Sequence, residues 1–274
     1  MEMLQRKVES GVAWLTMNRP KQRNALNRPL LQAMAQTIEE LTTRNEVRVL
    51  VLSGAGSAFS VGQDLEEING LSTAHSSTPS MGEDSTMLAF HYEEQLVQYY
   101  HRVVKGMIRF PKPVIAAVNG VAAGAGMSLA LLADIRIFSE TARLVPAFFQ
   151  IGLLPDTGIL YTLPRLVGEG LARRILLTGE SIDAGTARQW GIADVVARDP
   201  HFEQEVAEWA RRLAQLPPLA VREMKRLIQQ HATSSLEELL QEEGRVQALL
   251  ATTEDHQEGL LAFREKRQPR FFGN

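Results

Sequence analysis

The chain has 274 residues, 45% apolar and 22% charged, enough to bury roughly three quarters of the surface that its unfolded form would expose. Lys and Arg number 29 against 32 Asp and Glu, a net charge of −3, so no general attraction to nucleic-acid backbones or anionic lipid is expected. The absence of cysteine excludes disulfides, thiolate metal sites and a cysteine nucleophile. Residues 1–10 mix charges and lack the apolar stretch of a secretory signal, and no run approaches the ~20 apolar residues of a membrane span. The expectation is a cytoplasmic protein with neither membrane nor nucleic acid as partner.

Val12 to Met17 reads as a short strand. Asn27 and Pro29 then open a helix along which Leu30, Leu31, Met34, Ile38 and Leu41 recur at helical spacing. Val47 to Leu52 is a second strand, closed by Ser53-Gly54-Ala55-Gly56. Residues 71–86, rich in Ser and Thr and without period, predict a surface loop. Val114 to Val118 is a third strand, ended by Asn119-Gly120, and an Ala/Gly/Leu-rich helical segment leads into a strand over Ile135 to Phe138. Strands alternating with helices predict an α/β core over residues 1–200. From about His201 the pattern changes. Phe202, Val206, Trp209 and Leu213, then Leu236, Leu239, Leu240, Val246, Leu249 and Leu250, repeat at helical intervals with no strand between them. Residues 201–274 are therefore read as a C-terminal helical region, able to pack on its own body or on a partner subunit.

Two segments expose backbone. Ala117 to Ala130 is a strand, a turn and a helix start built from minimal side chains, and Gly54 to Leu65 is a glycine-rich turn after the Val47–Leu52 strand. Each alone is explained by close packing. Two such turns, each directly after a strand, can also aim one N–H apiece at a common point, as stabilising a developing oxyanion requires. Asp156, in Leu153-Leu154-Pro155-Asp156-Thr157-Gly158, reads equally as a helix cap and as a proton-transfer group. The six His are scattered, without metal-ligand spacing.

In order and spacing, these segments and their neighbours resemble the crotonase (enoyl-CoA hydratase/isomerase) superfamily. The resemblance is carried by NRPKQRNAL at Asn18–Leu26, FSVGQDL at Phe59–Leu65, PKPVIAAVNGVAAGAG at Pro111–Gly126, ADIRI at Ala133–Ile137, IGLLPDTG at Ile151–Gly158, LTGESIDAGTARQWGI at Leu177–Ile192 and EGLLAFREKRQPRFFG at Glu258–Gly273. It implies an α/β spiral of repeated ββα units with a C-terminal helical region that covers the site and joins subunits into trimers or dimers of trimers. It also implies an acyl-CoA substrate, with coenzyme A as part of that substrate and no separate cofactor.

By the same resemblance, the thioester oxygen would sit between the backbone N–H groups of Gln63 and Ala125. Coenzyme A would meet Lys21, Arg23 and Lys266, with Arg267 beside it, and the backbone at Val61, Gly62 and Asp64. Phe148, Ser128 and Leu153 would line the acyl pocket. Ser128 and Phe148 stand where hydratases of the family carry two Glu, and neither can activate water or protonate carbon at neutral pH. Members of the family that shift double bonds or open strained rings carry an acidic residue where Asp156 stands, so the resemblance implies Asp156 as the catalytic residue, with Phe148, Phe149, Leu153 and Leu154 expected to raise its pKa by desolvation. The implied reaction is isomerisation: an enolate held by the two N–H groups while Asp156 moves a proton between acyl carbons. The IGLLPD context with Phe148 resembles the ring-1,2-epoxyphenylacetyl-CoA isomerase branch. Tyr99-Tyr100-His101 and Asp156-Thr157 locally resemble 4-chlorobenzoyl-CoA dehalogenase, but that enzyme's assisting His and pocket Trp would fall on Lys105 and Phe148. His101 is expected to be an ordinary helix residue. A non-catalytic, RNA-associated protein of the same fold would want a basic helix face, for which His101 to Gly106 is too sparse.

Overall fold

A computed structural model describes residues 2–67, 89–90 and 92–274; the loop expected over 71–86 lies outside them. Strand β1 (Leu4–Glu9) turns into β2 (Val12–Met17), helix α1 (Arg28–Thr43) follows, and β3 (Val49–Gly54) and β4 (Ala58–Ser60) come next. A π-turn over Leu96–Tyr100 leads into α2 (His101–Arg109), followed by β5 (Val114–Val118), β6 (Val121–Ala123), α3 (Ala125–Leu131), β7 (Ile135–Ser139) and β8 (Arg143–Val145). Then come α4 (Ile159–Val167), α5 (Glu169–Thr178), β9 (Ile182–Asp183), α6 (Ala184–Gln189) and β10 (Val195–Ala197). The chain ends in α7 (Phe202–Ala214), α8 (Pro218–Gln230), α9 (Leu236–Leu250) and α10 (Glu254–Glu265). No helix among the described residues is long and apolar enough to cross a membrane.

Two sheets form, one of six strands in the order β1-β2-β3-β5-β7-β10 and one of four in the order β4-β6-β8-β9. Successive strands are dealt alternately to the two, β3 then β4, β5 then β6, β7 then β8, with helices returning the chain, so the backbone climbs as a spiral of ββα turns. The large sheet is parallel except for its β1 edge. Parallel strands buried on both faces must be apolar throughout, which is how β5 reads, all five residues buried. One face packs against α1, α2 and α3 in the main core. The other is covered by Phe202, Val206 and Ala210 of α7, set on Val49, Val51, Ile115 and Ile137.

The expected spiral α/β architecture and the strand-free helical end are both present. Asn27 caps α1 as its sequence position indicates, its side chain accepting from the Leu30 N–H at 3.1 Å. One strand reading needs correction, and β1 is a strand that the sequence reading omits. The second strand begins at Val49 and runs through Ser53 and Gly54, because pairing with β2, Met17 opposite Gly54, sets its ends rather than its apolar run. Strand β1 carries little apolar signal: of Leu4 and Val8 only Leu4 is buried, and its charged residues lie along the edge of the sheet, where charge deters pairing with other chains.

Candidate active site

The site forms where the small sheet meets the start of α3. In the isolated parallel bridge between Leu26 and Gln63, the Leu26 N–H donates to Gly62 O at 2.7 Å and the Asp64 N–H to Leu26 O at 3.0 Å. Gly62 C=O and Gln63 N–H share one trans peptide plane and point in opposite directions. Leu26 therefore holds the Gln63 N–H turned away from itself, outside the ladder. Ala125 is the first residue of α3, so its N–H has no acceptor within the helix. The carbonyl of its peptide plane, Gly124 O, accepts from the Ser128 N–H at 3.0 Å, which sends the Ala125 N–H outward.

The two turns touch. Gly62 has φ +87°, and a Cβ there would stand 2.7 Å from Ala123 O and 3.1 Å from Ala125 N, so only glycine fits. Gly126 is needed for packing alone, since its Cβ would fall on Ser60 O. The close-packing reading of the Ala/Gly cluster therefore holds at Gly126.

Gln63, Ala125 and Asp156 line one cavity of about 180 Å³, with Val61, Tyr100, Phe148, Leu153 and Leu154 among its other walls. The Asp156 carboxyl does not cap α4. That helix starts at Ile159, with Gly158 as its N-cap and no side-chain cap, and the carboxyl instead accepts from the Thr157 hydroxyl at 2.9 Å. Burial pushes the Asp156 pKa above the ordinary aspartate value, opposed by the Thr157 hydrogen bond and by the neighbouring His101. Thr157 holds φ +54°, a strained conformation for a β-branched residue.

The other expected positions differ in how they stand to the cavity. Ser128 is wholly buried and lies behind the cavity, its Oγ donating to Asp156 O at 3.0 Å. Asp64 is also buried. Its carboxylate pairs with Arg19 at 2.7 Å and its N–H is spent on Leu26, so it braces the Gln63 turn rather than offering itself to a ligand. Gly62 commits its N–H to Ser60 Oγ and its C=O to Leu26. Lys21 and Arg23 are exposed beside this turn, where Arg23 O accepts from the Val61 N–H, and neither lines the cavity. Lys266 is an exposed residue ending α10, away from the cavity walls. Its neighbour Arg267 is engaged by Glu258 and Glu265. Phe149 is half exposed and off the cavity. His101 is a half-buried residue of α2, near enough to Asp156 to act on its ionisation.

Sequence reasoning missed Tyr100 and the brace formed by Arg19. The Tyr100 hydroxyl is buried on the cavity wall and reaches Leu26 O at 3.4 Å, its pKa raised by desolvation and by Asp156. It ends the π-turn, and no hydrophobic period announces a π-turn. The buried asparagine and arginine of NRPKQRNAL were the available signal for the brace. Asn24 is fully buried, its side chain donating to Ala55 O and Ala58 O. Among the described residues no group of His, Asp and Glu is placed to hold a metal ion.

A ββα spiral that brings the backbone of Gln63 and Ala125 and one desolvated carboxyl to a single small cavity defines a class of protein whose site could carry negative charge on a ligand oxygen. The family model described as enoyl-CoA hydratase/isomerase matches residues 7–274. The chain is 36% identical over 273 residues to the 1,2-epoxyphenylacetyl-CoA isomerase of Escherichia coli K12, covering 100% of this chain and 99% of that one. It is 33% identical to 4-chlorobenzoyl coenzyme A dehalogenase-2 of an Arthrobacter species, covering 93% and 88%. The crystal structure of an enoyl-CoA hydratase from Bacillus anthracis superposes with a TM-score of 0.88 at 30% identity, over 99% of this chain and 100% of that one. The chain belongs to the enoyl-CoA hydratase/isomerase family, whose members are enzymes acting on acyl-CoA thioesters.

Proposed function

We propose that the protein is an acyl-CoA isomerase that shifts a double bond, or opens a ring epoxide, in the acyl group of a CoA thioester. The thioester oxygen accepts from the Gln63 and Ala125 N–H groups. For the double-bond shift, Asp156 removes a proton from one acyl carbon, the electron pair moves onto that oxygen as an enolate, and the proton is returned to another carbon. A backbone donor aimed at a developing oxyanion is worth about 10²–10³ in rate, and a raised carboxyl pKa makes the ionised form a stronger base. One observation carries the reading: Asp156 lines the same cavity as Gln63 and Ala125, while the positions where hydratases place their acids hold Ser128 and Phe148. Aromatic displacement of a halide is less well supported, because Lys105, where an assisting His would fall, is exposed.

Asp156→Asn tests this. Turnover of a 3-enoyl-CoA and of the epoxide thioester of phenylacetyl-CoA should fall at least about 10²-fold with KM nearly unchanged; turnover within threefold of the unaltered protein removes Asp156 from the mechanism. Salt-sensitive RNA binding without turnover would instead mark a non-catalytic member. Lys21, Arg23 and Lys266 remain the proposed phosphate contacts, their side chains exposed to solvent. A trimer or dimer of trimers is proposed as the assembly, supported by apolar side chains left exposed on α8 to α10, among them Met224, Ile228, Leu260 and Phe263. Sedimentation at the mass of a single chain would refute it.

A further inference from the structure

Ser128 sits one turn into α3 and is fully buried. A helical serine that bonds only within its own helix is ordinary, and its Oγ does lie 3.4 Å from Gly124 O. Its closer partner is Asp156 O, 28 residues further along the chain, at 3.0 Å. The two carbonyls belong to the two halves of the site: Gly124 O shares a peptide plane with the Ala125 N–H, and Asp156 O is the backbone of the residue bearing the cavity carboxyl. The bend holding that carboxyl is strained, with Thr157 at φ +54°, so the surrounding structure has to hold it in place. The Asp156 carbonyl has one other partner among the described residues, the Ile159 N–H at 3.2 Å.

We propose that the Ser128 hydroxyl is a positioning group that fixes the span between the Ala125 N–H and the Asp156 carboxylate, and thereby which acyl carbons the carboxylate reaches when the thioester oxygen is bound. This rests on the isomerase reading. In a 3-enoyl thioester the carboxylate must break the C–H bond at the carbon next to the carbonyl, with the electron pair passing to the thioester oxygen. It must then give the same proton to the fourth carbon as the pair returns to form the new double bond. With a slack tether the first transfer survives better than the second, and the captured proton is lost to solvent more often.

The test uses Ser128→Ala and Ser128→Cys in the full chain, with a 3-enoyl-CoA in deuterated water. In Ser128→Ala, kcat should fall about tenfold or more with KM within about twofold, as expected of a small misplacement of reacting groups. The ratio of deuterium uptake beside the carbonyl to isomer formed should rise several-fold, a change that simple destabilisation would not produce. Ser128→Cys fills the space with a much weaker donor and should stay close to the alanine variant. The proposal is overturned if Ser128→Ala leaves kcat and the ratio within twofold of the unaltered protein, or if Ser128→Cys restores both, which would make the site one of packing. Turnover that survives Asp156→Asn, or absent turnover in the unaltered protein, overturns the isomerase reading beneath it and is told apart from those results by that variant.

Discussion

Gly62→Ala offers the most direct challenge to the way the two turns are built. The substitution places a Cβ 2.7 Å from Ala123 O and 3.1 Å from Ala125 N, at a residue with φ +87°. The left-handed backbone costs a non-glycine residue about 1–2 kcal/mol, and forcing an atom into a packed contact costs about 1–3 kcal/mol more. The loss of stability should be roughly 2–5 kcal/mol, a fall in Tm on the order of 5–15 °C for a chain of this size. Because the overlap falls on the Ala123–Ala125 backbone, the relaxation has to move the Ala125 N–H, the Gln63 N–H or both. Displacing one of the two proposed oxyanion donors should lower kcat about 10²–10³-fold. Thermal unfolding followed by circular dichroism gives the first number, and saturation kinetics on a 3-enoyl-CoA gives the second, with KM expected to move less than kcat. Gly170→Ala, on an exposed helical glycine with nothing within 4 Å of its added Cβ, controls for the loss of a glycine and should leave turnover unchanged. A Gly62→Ala protein with Tm within about 2 °C of the parent and kcat within threefold would refute the reasoning, since the two turns could then separate without consequence.

The raised Asp156 pKa fixes the sign of the pH dependence: a base works only when ionised, so the acid limb of kcat/KM should lie above the ordinary aspartate range. Thr157→Ala removes the hydroxyl that pulls this pKa down and should move the limb to still higher pH; a limb that stays put or moves down would detach it from Asp156. Asp64→Asn leaves Arg19 without its charge partner in a site where both side chains are largely buried. It should cost about 3 kcal/mol by urea titration, and combining it with Arg19→Gln should recover part of the loss. If the double variant is no more stable than the single one, the pair is not a brace.

Local sequence determined what local physics controls. Val12–Met17 and Val114–Val118 are apolar enough to be strands in any parallel sheet, and the observed β2 and β5 match those spans. Asn27 offers an oxygen where α1 needs a cap. The order of the motifs was sufficient to name the spiral and to nominate Gln63, Ala125 and Asp156, which meet at one cavity. What depended on neighbours distant in the chain was not legible. Strand β1 exists because β2 lies beside it, not because its charged residues favour it. Ser128 and Asp64 looked like ligand contacts because they sit inside motifs that face the site. Only the tertiary structure shows the first holding the Asp156 carbonyl and the second locked to Arg19. Hydrophobic period reports which side of a helix or strand is buried, whereas the direction of one N–H or hydroxyl is set by whichever distant acceptor the fold brings within about 3 Å.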